Sequence, residues 1–67
     1  MAMSIAGAQA NGLAARQAKE RGDEEYARAC FRAVIRAATD LQRRGQRERA
    51  ALLCAAFERG HGERGRA

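Results

Sequence analysis

The sequence predicts an all-α protein, a three-helix bundle built of antiparallel helical hairpins. Its 67 residues include no proline and only four β-branched residues, at positions 5, 34, 35 and 39, so helix formers dominate. Glycine follows a cationic stretch at Gly22, Gly45 and Gly60, and this placement is typical of helix C-termini. A chain of this length forms one domain, which we place at residues 1–59.

The first helix is predicted over about residues 4–21. Ser4 and Asn11 both have side chains that cap helices, so the helix is expected to begin at one of them. Gly7 and Gly12 are expected to weaken its opening turns. This helix is rich in alanine and holds few large apolar residues, so we expect it to bury little apolar side-chain area in the core.

The second helix is predicted over about residues 24–44. Asp23 directly follows Gly22 and is expected to cap this helix through its carboxylate. On a helical wheel its apolar residues fill an arc of roughly 200°, about twice the stripe that a surface helix needs. We therefore expect the second helix to be the middle layer, in contact with both of its neighbours. The expected scaffold consists of Ala27, Cys30, Phe31, Val34, Ile35, Leu41, Leu53 and Phe57.

The third helix is predicted over about residues 46–59. Gln46 is a poor N-cap, so this helix is expected to begin less firmly than the second one. We expect it to end at Arg59, with Gly60 beyond its C-terminus. Residues 60–67 are rich in glycine and arginine and are expected to form a flexible tail.

The turn between the first two helices combines Gly22 with the small residues Ala15 and Ala27, and Phe31 and Val34 follow Ala27. This arrangement resembles the middle of a tetratricopeptide repeat, in which a glycine stands at the turn, small residues stand at the close-contact positions, and an aromatic and a small or apolar residue follow at this spacing. The sequence departs from the family pattern at Asn11, Ala14, Ala18 and Thr39. The same hairpin pattern is also similar to the three-helix microtubule-interacting-and-transport domain. These resemblances imply protein binding, with a groove beside the first helix and the matched residues in the scaffold.

A row of charged residues at i,i+4 spacing runs along the second helix. Its centre is Arg28, Arg32 and Arg36, and acidic residues lie only towards its two ends. One interpretation is a solvated face whose pairs contribute about 0.2–0.5 kcal/mol each. The other is an arginine ridge that binds an acidic protein or a nucleic-acid backbone.

The leading functional hypothesis is a small non-enzymatic adaptor, inhibitor or chaperone-like protein that binds another protein or a second copy of itself. A core this small is expected to supply only about 3–5 kcal/mol of stability, which favours help from a partner. The predicted contact residues are the three arginines of the ridge together with Leu13 and Leu52, two leucines on the first and third helices. The sequence leaves homodimer and heterocomplex open.

The alternative hypothesis is a basic accessory protein that binds nucleic acid. The net charge of +5 permits this function. However, no aromatic residues alternate with the arginines for base stacking, and residues 50–57 offer almost no side chains that read base edges. The basic residues are also spread out, with no block of five or six like charges.

Several other classes of function lack their signature in the sequence. His61 is the single histidine and has no neighbouring ligands, so we expect no metal, no cofactor and no catalytic site. Cys30 and Cys54 are offset by about 9 Å along the predicted hairpin, too far for a disulfide. With no evident signal peptide and no long apolar run, we expect a cytoplasmic protein that does not cross a membrane. The bias towards alanine, arginine and glycine is typical of a bacterial GC-rich genome.

Overall fold

The protein is a bundle of three α-helices, as a computed structural model describes it over residues 3–62. The helices are α1 (Ile5–Glu20), α2 (Glu24–Arg43) and α3 (Arg47–Gly62). Each helix packs against both of the others, and no strand occurs within residues 3–62. The predicted all-α three-helix bundle is therefore confirmed.

Both interhelical turns have the same construction. After α1, the N–H of Gly22 donates to the carbonyl of Lys19 at 3.1 Å, and the N–H of Asp23 donates to that of Ala18 at 2.8 Å. After α2, Gly45 and the residue that follows it repeat this pair of bonds at 3.0 and 2.9 Å. This is the Schellman arrangement, in which a left-handed residue follows the helix. Gly22 and Gly45 have φ of +83° and +82°, which confirms both predicted helix stops.

The helix starts follow the predicted capping chemistry. The Ser4 hydroxyl accepts from the N–H of Gly7 at 2.9 Å, which makes Ser4 the cap of α1 and places Asn11 inside the helix. The Asp23 carboxylate accepts from the N–H of Tyr26 at 3.1 Å. Each such bond satisfies one of the donors that a helix N-terminus leaves free.

α1 and α3 approach each other closely at two glycines, Gly12 and Gly60. A Cβ built on Gly12 would lie 2.1 Å from the carbonyl oxygen of Phe57, and one built on Gly60 would lie 2.0 Å from that of Gln9. Any side chain at either position would overlap the backbone of the facing helix. These two glycines therefore let α1 and α3 pack backbone against backbone.

The predicted end of α3 at Arg59 is wrong, because Gly60 does not stop the helix. Its φ is not among the positive values that mark Gly22 and Gly45, and α3 continues through Gly62. Gly60 is instead a packing position of the α1–α3 contact. Of the expected flexible tail, residues 60–62 belong to α3, and residues 63–67 lie outside the described residues.

The core is small and consists largely of alanine. Val34 and Leu53 are its largest fully buried side chains. The buried apolar residues are Ala8, Ala15, Ala18, Ala27, Cys30, Val34, Ala38, Leu41, Ala50, Leu53, Ala56 and Phe57. Such residues bury little area each, which limits the hydrophobic stabilisation of the bundle.

The expected contact of α2 with both neighbours is confirmed, but the expectation that α2 lies between them as a middle layer is wrong. Its buried residues occupy a single stripe from Ala27 to Leu41, the width usual for a surface helix. Phe31 and Ile35, predicted to be scaffold residues, are 50% and 41% exposed. The reason is the glycine contact between α1 and α3: because those two helices touch directly, α2 covers one side of the pair instead of lying between them.

Candidate protein-binding surface

The outward side of α2 carries large apolar side chains that the bundle leaves uncovered. Phe31 and Ile35 are separated by four residues, so they lie on the same side of the helix, one turn apart. They lie at the edge of the buried stripe, next to the row of arginines. They are two of the four large apolar side chains that are exposed among the described residues.

An open cleft of about 480 Å³ lies beside Phe31, where all three helices contribute. Two buried alanines, Ala15 of α1 and Ala27 of α2, form part of its lining, together with Phe31 and Phe57. The remaining lining residues are Lys19, Glu24, Arg28, Glu58, His61 and Gly62. We call this site the apolar cleft, because alanine and phenylalanine side chains line it and charged side chains surround it.

The aromatic side of the apolar cleft is held in place by ring contacts. Phe31 meets Phe57 edge to face, with centroids 5.5 Å apart and an interplanar angle of 63°. Phe57 also stacks on His61 at 5.9 Å. The guanidinium of Arg16 donates a hydrogen bond to the carbonyl of His61, which ties the end of α3 to α1. Phe57 is therefore fixed from both sides, and Phe31 rests on it with half of its surface in solvent.

A second groove of about 560 Å³ runs along α2. Its lining residues are Phe31, Arg32, Ile35, Arg36, Thr39, Asp40 and Arg43, and we call them the α2 face. Phe31 belongs to both grooves, so the apolar cleft and the α2 face form one continuous surface. Within it, the α2 face combines apolar side chains with three arginines and one aspartate, whereas the apolar cleft holds charges of both signs, including Glu24 and Glu58.

The arginine row is paired only towards its ends. Arg28 lies 3.7 Å from Glu24, and Arg44 lies 3.3 Å from Asp40. All four side chains are more than half exposed, so these pairs contribute little energy. Arg32 and Arg36, at the centre of the row, have no ion pair with any of the described residues. The α2 face, which holds three arginines and Asp40, thus carries a net positive charge next to Phe31 and Ile35.

The five predicted contact residues are not all brought together. The predicted arginines Arg28, Arg32 and Arg36 line the apolar cleft or the α2 face. Leu52 is 52% exposed, as expected, but it lines neither groove, and neither does the half-buried Leu13.

Sequence reasoning missed the apolar half of this surface by assigning Phe31 and Ile35 to the scaffold. The signal was present, because an apolar arc of roughly 200° exceeds the width that one packed stripe covers. The residues at the edge of that arc were the ones to expect in solvent. Tyr26, at the opposite edge, is likewise half exposed, with the guanidinium of Arg21 above its ring.

No group of three or more His, Cys, Asp or Glu side chains within residues 3–62 is placed to hold a metal ion. Both cysteines are free thiols, with Cys30 buried and Cys54 partly buried. None of the described helices combines the length and apolarity required to cross a membrane.

Comparisons of the chain with protein-family models, curated proteins and solved structures find no match. The functional interpretation therefore depends on the surface itself.

Proposed function

We propose that this chain is a small non-enzymatic protein-binding module, and that its partner docks on the apolar cleft and the α2 face. The observation that carries the proposal is the exposure of Phe31 and Ile35 at a groove, in a bundle whose core is mostly alanine. Adaptor, inhibitor and chaperone-like roles all use such a surface, and the free thiols are compatible with a cytoplasmic setting. The resemblance to a tetratricopeptide hairpin agrees with protein binding as a class, but it implies a groove beside the first helix and places Phe31 in the scaffold, so it does not support the α2 face as the docking site.

The energetics favour a partner at this surface. Full burial of a Phe or Ile side chain is worth about 1.5–3 kcal/mol relative to exposure. Since Phe31 and Ile35 are each about half exposed, covering them offers roughly 1 kcal/mol apiece. A partner that binds only the folded bundle also stabilises it by mass action, which matters for a thin core.

A display screen with matched variants tests the proposal. The immobilised protein, a Phe31→Ser/Ile35→Ser variant and a Leu52→Ser variant are each used to select from a random-peptide library, after circular dichroism has shown that all three are folded. Leu52→Ser is the matched control, because it removes an equally exposed leucine outside both grooves. We expect peptides that bind the wild type and Leu52→Ser but lose at least tenfold in affinity for the double variant.

Two outcomes would refute the proposal. One is the absence of any enriched peptide; the other is a set of peptides that bind the Phe31→Ser/Ile35→Ser variant as tightly as the wild type. A gel-mobility shift of DNA or RNA on addition of the folded double variant would instead favour the nucleic-acid alternative, provided that binding weakens steeply with salt. In that case the arginines would be the binding residues.

A further inference from the structure

We infer that the segment bound at this surface is an acidic amphipathic helix of another protein. The inference rests on the proposed function and adds the conformation, charge and length of the ligand. It follows from the helical nature of the surface, from the unpaired arginines of the α2 face and from the like charge of a second copy.

The conformation follows from hydrogen bonding. The surface is built from helices, whose backbone N–H and C=O groups are already paired within each helix. An extended peptide docked there would find no sheet edge to pair with, and its own buried backbone groups would lack partners. A helical segment satisfies its backbone internally and presents only side chains to the groove. A helical ligand therefore covers this surface with fewer unpaired backbone groups than an extended peptide does, which favours a helix as the occupant.

The charge follows from the unpaired arginines. Arg32 and Arg36 lie within the α2 face beside Phe31 and Ile35, with no ion pair among the described residues. Covering the apolar side chains with a neutral helix would partly desolvate two guanidinium groups without compensation. Glu or Asp side chains flanking the apolar residues of the ligand supply that compensation, and arginine pairs with carboxylates in a bidentate geometry.

The same charges disfavour a second copy as the occupant. In a two-fold contact the α2 face of one copy meets the α2 face of the other. The arginines of the two copies would then be brought together at one interface, and each chain carries a formal charge of +5. Like charges juxtaposed at an interface are costly. The occupant is for this reason a different chain with the opposite charge.

The length of the ligand follows from the extent of the groove. The α2 face runs from Phe31 to Arg43, which spans about 18 Å of helix at 1.5 Å per residue. A ligand helix of about 12 residues covers it. Apolar residues at i, i+3 and i+4 would meet Phe31 and Ile35, with acidic residues on either side of them.

The test uses two designed peptide probes of 18 residues labelled with fluorescein. Both have leucines along one helical stripe; the acidic probe has glutamates flanking the stripe, and the basic probe has lysines there. Fluorescence anisotropy is measured with the wild type, with Arg32→Glu/Arg36→Glu, and with Arg49→Glu/Arg59→Glu. The last variant reverses the same amount of charge outside both grooves and controls for general attraction to a basic protein.

We expect the wild type to bind the acidic probe at least tenfold more tightly than the basic one. Arg32→Glu/Arg36→Glu should reverse that preference, whereas Arg49→Glu/Arg59→Glu should keep it. Equal binding of the two probes by the wild type, or an equal effect of the two charge reversals, would overturn the inference. A dimer in native mass spectrometry that Phe31→Ser/Ile35→Ser dissociates would also overturn it, by making a second copy the occupant.

Different results would overturn the proposed function and the acidic helix. If neutral or basic library peptides require Phe31 while the acidic probe does not bind, the proposed function stands and the inference falls. If no peptide from either source depends on Phe31 and Ile35, both fall.

Discussion

Replacing Gly60 with alanine is the sharpest perturbation of the bundle. The new Cβ would lie 2.0 Å from the carbonyl oxygen of Gln9 and 3.0 Å from the backbone nitrogen of Leu13. Ordinary van der Waals contacts of a Cβ begin at 3.4 Å, so α1 and α3 would have to separate by roughly 1.4 Å. Both obstructing atoms belong to the backbone, so no change of side-chain rotamer can move them. A gap of even 0.5–1 Å already forfeits about a quarter to a half of each van der Waals contact.

The size of the effect follows from two opposing contributions. Overpacking of this kind costs about 1–3 kcal/mol or more, and replacing a glycine inside a helix with alanine returns up to about 1 kcal/mol. We expect a net loss of about 2 kcal/mol, against a total stability of about 3–5 kcal/mol for a core this small. The corresponding decrease in Tm is roughly 8–16 °C, at about 4–8 °C per kcal/mol.

Thermal and urea unfolding followed by circular dichroism at 222 nm measure this loss. Gly62→Ala is the matched control, because it lies in the same helix and its added Cβ meets nothing within 4 Å. The control should be neutral or slightly stabilising. Gly60→Ala as stable as Gly62→Ala would refute the close approach of α1 and α3.

Three further substitutions examine the turns and the core, each by the same unfolding assay. Asp23→Ala removes the carboxylate that caps α2 and should cost about 1 kcal/mol; no loss would mean that the cap is not formed in solution. Gly22→Ala should cost about 1–2 kcal/mol through its positive φ alone, since its added Cβ meets nothing; an unchanged midpoint would contradict the left-handed turn. Leu53→Ala should cost about 2–5 kcal/mol, because Leu53 is fully buried. Leu52→Ala, at the exposed neighbouring position, should change stability by no more than about 0.5 kcal/mol. Equal losses for the two variants would contradict the burial of Leu53 in the core.

The turns and helices could be predicted from sequence because their causes are local. Gly22 and Asp23 stop one helix and start the next through hydrogen bonds within a few residues. Gly45 repeats the stop by the same chemistry. Local capping and a helical repeat of apolar residues were therefore enough to give the number and order of the helices.

The arrangement of the helices could not be predicted in the same way, because it depends on contacts distant in sequence. Gly60 has the sequence context of a helix stop, with Arg59 before it, yet it serves as a packing position against Gln9. Gly12 was expected only to weaken α1, although it lies at the same crossing. A pattern within one segment does not reveal that Gly60 meets the backbone of Gln9, 51 residues away.

The candidate surface was predicted in part for the same reason. Arg28, Arg32 and Arg36 were identified because their i,i+4 spacing is local. Phe31 and Ile35 were assigned to the core because α2 was expected to lie between its neighbours. Their exposure depends on whether α2 lies between the other helices or beside them. The direct contact of α1 and α3 decides that question, and it turns two scaffold residues into candidates for binding.

The most direct test of the central claim is a map of the binding surface by nuclear magnetic resonance. The ¹⁵N-labelled protein is titrated with a peptide selected in the display screen, and amide shift changes are followed along the chain. The account predicts that the largest changes cluster on α2 around Phe31, Arg32, Ile35 and Arg36. Changes centred on Leu13 or Leu52, with α2 unaffected, would contradict it.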